Sequence, residues 1–147
     1  MNTGKRTAAM KDRRLILSTL WIFAMFNYLY ADVYGLYFNP VLQKELAQEL
    51  LAGYVGSIQI TEGFVLVTAI LMETAIAMVL LSRLLTYGAN RWANILAGAF
   101  HTAFVFWSLW GGAAPTLFYA FFAAIEMACT LFIVWYAWTW HNPEAQF

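Results

Sequence analysis

The chain has 147 residues, 63% of them hydrophobic, 11% charged and 18% aromatic, with a formal net charge of zero. Soluble domains carry roughly 45 to 50% apolar and about 25% charged residues, so eight basic and eight acidic side chains leave too little polar surface for a body in water. The composition points to an integral membrane protein, offers no basic footprint for nucleic acid, and with Cys129 alone provides no intramolecular disulfide or CxxC motif.

Residues 1–14 hold five of the eight basic side chains, Lys5, Arg6, Lys11, Arg13 and Arg14, and are predicted to form a polar tail. The uncharged run 15–31 that follows is just long enough to cross a bilayer. A signal peptide is the competing reading, but no A-x-A-like cleavage site follows, and the run ends in Tyr30, Asp32 and Tyr34. Next comes Pro40, suited to a first helical turn, then leucines at 42, 46 and 50, then Gly53 as a stop. Residues 40–52 are predicted to form an amphipathic helix at the interface, either a connector or a lid. Further spans are expected over 63–82, 92–110 and 116–140, joined by RLLTYGANR and by the Gly/Pro turn GGAAP. The expected fold is therefore all-α: an integral membrane four-helix bundle with an extracytoplasmic amphipathic helix and a tail at 141–147.

Orientation follows from the basic residues. With the N-terminus inside, seven of eight Lys and Arg fall in the cytoplasm and only Lys44 lies outside. Both termini are then cytoplasmic, in a plasma (bacterial inner) membrane, and small-residue faces favour a homo-oligomer.

Ionisable groups at mid-span each cost roughly 2.5 to 3.5 kcal/mol on insertion scales, so function is sought there. Glu73 is ten residues from Arg83 and His101 ten from Arg91, which places both about 15 Å from the same edge. Glu126 falls near that level, with Asn27 somewhat further out and Asp32 and Glu62 at the outer mouth. Helical spacing aligns Thr19, Phe23, Asn27, Ala31 and Tyr34 on the first span and Glu62, Ala69, Glu73 and Ala77 on the second. It aligns Asn94, Ala97, His101 and Ser108 on the third, and Tyr119, Ala123, Glu126 and Thr130 on the fourth. These stripes are expected to face inward and to gather Glu73, His101 and Glu126 into a buried cluster, with Asn27 nearby.

Two carboxylates in a low dielectric do not both stay ionised cheaply, so such a cluster suits a proton or a cation. The ligand set falls short of a metal site, and His101 has no second histidine at its depth for haem, so no metal or other cofactor is expected. The same glutamates could serve only as hydrogen-bonding glue between helices. No GxSxG, P-loop, GxGxxG or HExxH motif is present, so no catalytic residue is assigned, and Cys129 reads as a packing residue. The aromatic clusters at 28–37 and 135–140 read as interfacial belts, or as a pocket under the amphipathic helix for a quinone-like or other apolar ligand.

At LMETAIAMVLLSRLLTYGANRWANILAG and FAAIEMACTLFIVWYAWTW the chain resembles an uncharacterised bacterial family of small four-span membrane proteins, over about residues 14–140. In outline it is also similar to the DoxX-like group. The resemblance implies four helices and a plasma-membrane setting, and it transfers no catalytic residue. The leading expectation is a small membrane protein that binds or transports a proton, cation or apolar or cationic small ligand through Glu73, His101 and Glu126. The alternatives are a non-catalytic accessory or scaffold subunit, and an enzyme acting on a lipidic substrate with His101 and a glutamate as acid and base.

Overall fold

The chain meets no proline before Pro40, and its first helix, α1, runs unbroken from Thr3 to Phe38. Pro40 disfavours helical geometry at the residue before it, and Asn39 accordingly leaves the helix at φ −123° and ψ 89°. The Asn39 Oδ1 then caps α2 (Pro40–Ala52) by accepting from the Leu42 N–H at 3.0 Å. Gly53 stops α2 at φ 78°, a left-handed conformation that glycine adopts without strain. Two short antiparallel strands follow, β1 (Tyr54–Val55) and β2 (Ile58–Gln59), before Thr61 caps α3 (Glu62–Leu84) through the Phe64 N–H. Only Leu85 and Thr86 separate α3 from α4 (Tyr87–Gly111), and α5 covers Leu117–Trp138.

In this computed structural model the backbone is described over 3–55, 58–111 and 116–141, and side chains over 11–55, 58–109 and 116–141. The side chains of Lys5 and Arg6, most of the Gly/Pro turn before α5 and the C-terminal tail from 142 lie outside the described residues.

Among the described residues the architecture is all-helical apart from the small hairpin. α1 packs against α3 and α5, and α4 against the same two, so α1 and α4 face each other across the interior. Cross-links fix the directions. Arg13 meets Tyr136 and Leu20 meets Cys129, so α1 and α5 are antiparallel; Trp21 meets Asn94 and Tyr28 meets His101, so α1 and α4 are parallel. The core is built from Leu17, Trp21, Ala24, Ala75, Met78, Ile95, Cys129 and Ile133. α4 and α5 approach closely at Gly98, where an added Cβ would lie 2.8 Å from Val134 Cγ2 and 3.2 Å from the Thr130 carbonyl. Small residues at such crossings let helix backbones meet in lipid, where packing rather than apolar burial drives association.

Among the described residues, three helical stretches are long and apolar enough to cross a membrane: Lys11–Phe38, Glu62–Leu84 and Leu117–Trp138. The expected fourth span is a 25-residue helix but is not among them, because Asn90, Asn94 and His101 dilute its apolar character. Its start also differs from the expectation: 87–91, read as turn, is helix, since Ser82 and Asn94 satisfy Asn90 there. The 1–14 tail likewise joins α1 from Thr3, because nothing interrupts helical geometry between the two.

Candidate functional site

At the end of the bundle that holds Arg83 and Tyr87, buried polar side chains close on one another. Asn94 Oδ1 accepts from Trp21 Nε1 at 2.8 Å and from Ser82 Oγ at 3.1 Å. Asn94 Nδ2 donates to both oxygens of Asn90, and Asn90 Nδ2 donates to the Ser82 carbonyl at 2.6 Å. Ser18 Oγ donates to the Val79 carbonyl and accepts from Arg83 Nε. Every hydrogen-bonding position of the Asn94 amide is thus used, inside a fully buried residue. The arginines of this end hold the last turn of α5. Arg13 and Arg91 donate to the Tyr136 and Trp138 carbonyls and lie over those residues' rings at 4.8 and 5.6 Å. Cations at a helix C-terminus complement its dipole, and cation–π contact adds to the attachment.

About two turns further along α4 the pattern changes. His101 is fully buried between Trp21, 5.4 Å away edge-on, and Tyr28, stacked at 5.7 Å. Its Nδ1 shares a 3.2 Å hydrogen bond with the Tyr28 hydroxyl, while its Nε2 is buried without a partner. Glu126 on α5 is 6% exposed, and its Oε1 is likewise buried and unpartnered. Both Tyr28 and Asp32 lie within coulombic range of Glu126. Beside this centre Thr130, one turn on from Glu126, pairs with Thr102 of α4 at 2.7 Å. Groups with free donors or acceptors in an apolar interior can take up a proton or bind a polar ligand group, at a desolvation cost that only a partner removes. Among the described residues, no three of His, Cys, Asp and Glu are grouped as a metal site requires.

The other expected site residues lie elsewhere. Glu73 does not join the cluster: it is exposed on the outer face of α3, because the buried stripe of that helix is Leu71, Ala75, Met78 and Ser82. Glu73 and Ala75 are two positions apart, about 200° around a helix, so they point in nearly opposite directions. Asn27 is buried, but its Nδ2 donates to the Phe23 carbonyl of its own helix at 2.8 Å, and the stripe expected with it is broken by exposed Thr19 and Phe23. The inward face of α1 is instead Leu17, Trp21, Ala24, Tyr28 and Ala31, with Tyr28 half-buried. Glu62 is exposed on the first turn of α3, where a carboxylate suits the helix dipole. The stripes expected on α4 and α5 do face inward at Asn94, Ala97, His101, Ala123, Glu126 and Thr130. Cys129 is buried and donates weakly to the Leu20 carbonyl at 3.5 Å, as a packing thiol does.

One cavity of ligand size has no α2 residue in its lining. It is a groove of about 610 Å³ between α1 and α3, lined by Ile22, Met25, Leu29, Ile76 and other apolar side chains, with Tyr28, Asp32 and Arg83 as its polar members. Tyr28 therefore connects the groove to His101. Helix α2 has no buried residue and leans on α1 through Leu42, which meets Gly35. Nothing in the periodicity of α1 singled out Tyr28, because an aromatic belt explained it equally well.

Over residues 7–146 the chain matches, and belongs to, a family of unknown function, DUF6326. No curated protein and no solved structure matches it.

Proposed function

We propose that this is a four-span plasma-membrane protein in which His101, Tyr28 and Glu126 form a polar centre that binds or carries a proton, a cation or the polar group of a small ligand. The carrying observation is the pair of buried, unpartnered atoms, His101 Nε2 and Glu126 Oε1, on neighbouring helices. An unpaired polar group in an apolar interior costs about 1 to 3 kcal/mol, and that cost is retained where a ligand removes it.

The fourth crossing is assigned to α4. Its outward residues Trp92, Leu96, Phe100 and Trp107 are apolar and more than half exposed, whereas its polar residues point inward. Placing Arg13, Arg14, Arg83 and Arg91 at the cytoplasmic side leaves Asp32, α2 and the hairpin on the other. Proton and solute flux through liposomes containing the full chain tests the reading. Glu126→Gln and His101→Gln are each expected to abolish flux while Glu73→Gln preserves it, and unchanged flux in the first two overturns it.

A second reading, an accessory subunit or homo-oligomer, is supported by Glu73. This carboxyl lies on the outer face of a spanning helix, about 15 Å from Arg83, with Ala69 and Ala77 one turn to either side. An ionisable group facing acyl chains is costly, and small flanking residues admit a partner helix close enough to hydrogen-bond it. Disulfide trapping of Ala77→Cys in native membranes tests this reading; a chain that stays monomeric counts against it.

A further inference from the structure

The groove between α1 and α3 has chemistry of its own. Its lining is apolar along about ten residues of α1, Ile22 to Asp32, a length of about 15 Å. Its volume of about 610 Å³ lies within the range of small-molecule sites, roughly 300 to 1,000 Å³. The two ends differ. At one, Arg83 already donates to Ser18 and so belongs to the packed network. At the other, the exposed carboxylate of Asp32 has no hydrogen bond or ion pair among the described residues, and the 6%-exposed, unpartnered Glu126 lies near enough to repel it. Lys11, Arg13, Arg14 and Arg91 gather with Arg83 toward the far end, and Lys44 sits exposed on α2. A carboxylate at the open end of an apolar groove, repelled by a second acid and without a basic partner, favours positive charge beside it.

We infer that the α1–α3 groove binds an amphipathic cation, its apolar tail lying along Met25, Leu29 and Ile76 and its cationic head at Asp32. The direction suits the site. Asp32 lies 18 residues from Arg14, about 27 Å along α1, so a molecule with its head there and its tail toward Ile22 is oriented like a lipid of the outer leaflet. Tyr28, one turn before Asp32, is the lining aromatic nearest the head and is positioned to contact a cation there. Tyr28 also carries the hydrogen bond to His101, so an occupied groove touches the polar centre through one side chain. This inference rests on the proposed ligand-binding role and names the class of ligand.

The test uses the full chain in phosphatidylcholine nanodiscs and two spin-labelled alkyl probes with the same tail, a trimethylammonium and a sulfate. The immobilised fraction of each is read by electron spin resonance. The ammonium is expected to be retained preferentially, and Asp32→Asn to weaken its binding about tenfold. Lys44→Gln, exposed on α2 and outside the lining, leaves that binding unchanged. Ile76→Trp, which fills the groove and keeps the carboxylate, removes the immobilised component. Equal retention of both probes, or ammonium binding indifferent to Asp32→Asn and Ile76→Trp, overturns the inference. Preference for the sulfate, lost in Arg83→Gln, also overturns it and identifies an anionic-lipid site instead. Failure here is separable from failure of the polar centre, which is read by flux in Glu126→Gln and not by probe binding.

Discussion

Two sets of buried polar residues, both with members on α1 and α4, lie about two turns apart along α4, and they differ in completeness. Around Asn94 every donor and acceptor of the amide is matched within 3.1 Å, and the partners come from α1, α3 and α4. Around His101 and Glu126 one atom of each remains unpaired, although both residues are as deeply buried. Polarity inside a membrane protein thus has two meanings. A closed network specifies which helices pair and in what register; an open one keeps binding capacity in reserve.

The contrast is sharpest in stability. Asn94→Leu removes both acceptor bonds and both donor bonds of the hub and strands Trp21 Nε1, so a loss of about 3 kcal/mol is expected by unfolding in mixed micelles. Glu126→Gln at the open centre is expected to change stability by less than about 0.5 kcal/mol while abolishing flux. A destabilised Glu126→Gln beside a tolerated Asn94→Leu would reverse the assignment of the two regions. Gly98→Ala lies between them along α4 and reports on packing alone. Its Cβ would meet the Thr130 carbonyl at 3.2 Å as well as Val134, and a loss of about 1 to 2 kcal/mol is expected. Tyr28→Phe leaves His101 Nδ1 without its partner and should cost about 1 kcal/mol, a value that a rearranged imidazole would lower. The smallest effect belongs to the periphery: Trp138→Leu removes the ring under Arg91 at the bundle's end and should cost about 0.5 kcal/mol in the same unfolding assay.

Much of the fold was legible in the residues, and where it was not the reason is physical. Pro40 and Gly53 mark the ends of α2 by backbone chemistry that packing does not override, and the helix occupies 40–52. The inward faces of α4 and α5 were readable because their polar residues recur at helical spacing among small ones. On α3 the same reasoning led outward. The stripe of Ala69, Glu73 and Ala77 and the stripe of Leu71, Ala75 and Met78 are both regular, and the assumption that a carboxyl hides from lipid chose the wrong one. On α1, Asn27 drew attention to a face it only borders, since its amide is satisfied within its own helix. Asn90 escaped notice because a segment with Gly88 and Thr86 reads as turn, while its carbonyl and amide complete a network three elements wide. Of the candidate site, His101 and Glu126 were visible; Tyr28 and the position of the groove required the relative rotation of α1 and α3.

The two-residue link at Leu85 and Thr86 bears on how the chain reaches its membrane. α4 is not among the described stretches apolar enough to cross unaided, and alone in lipid it would expose Asn90 and Asn94. Their first partner is Ser82, eight and twelve residues back on α3, just across that link. The bonds are local enough to form while the two helices are still emerging, so α3 and α4 can partition together as one hairpin, with α3 chaperoning the polar face of its neighbour from the start.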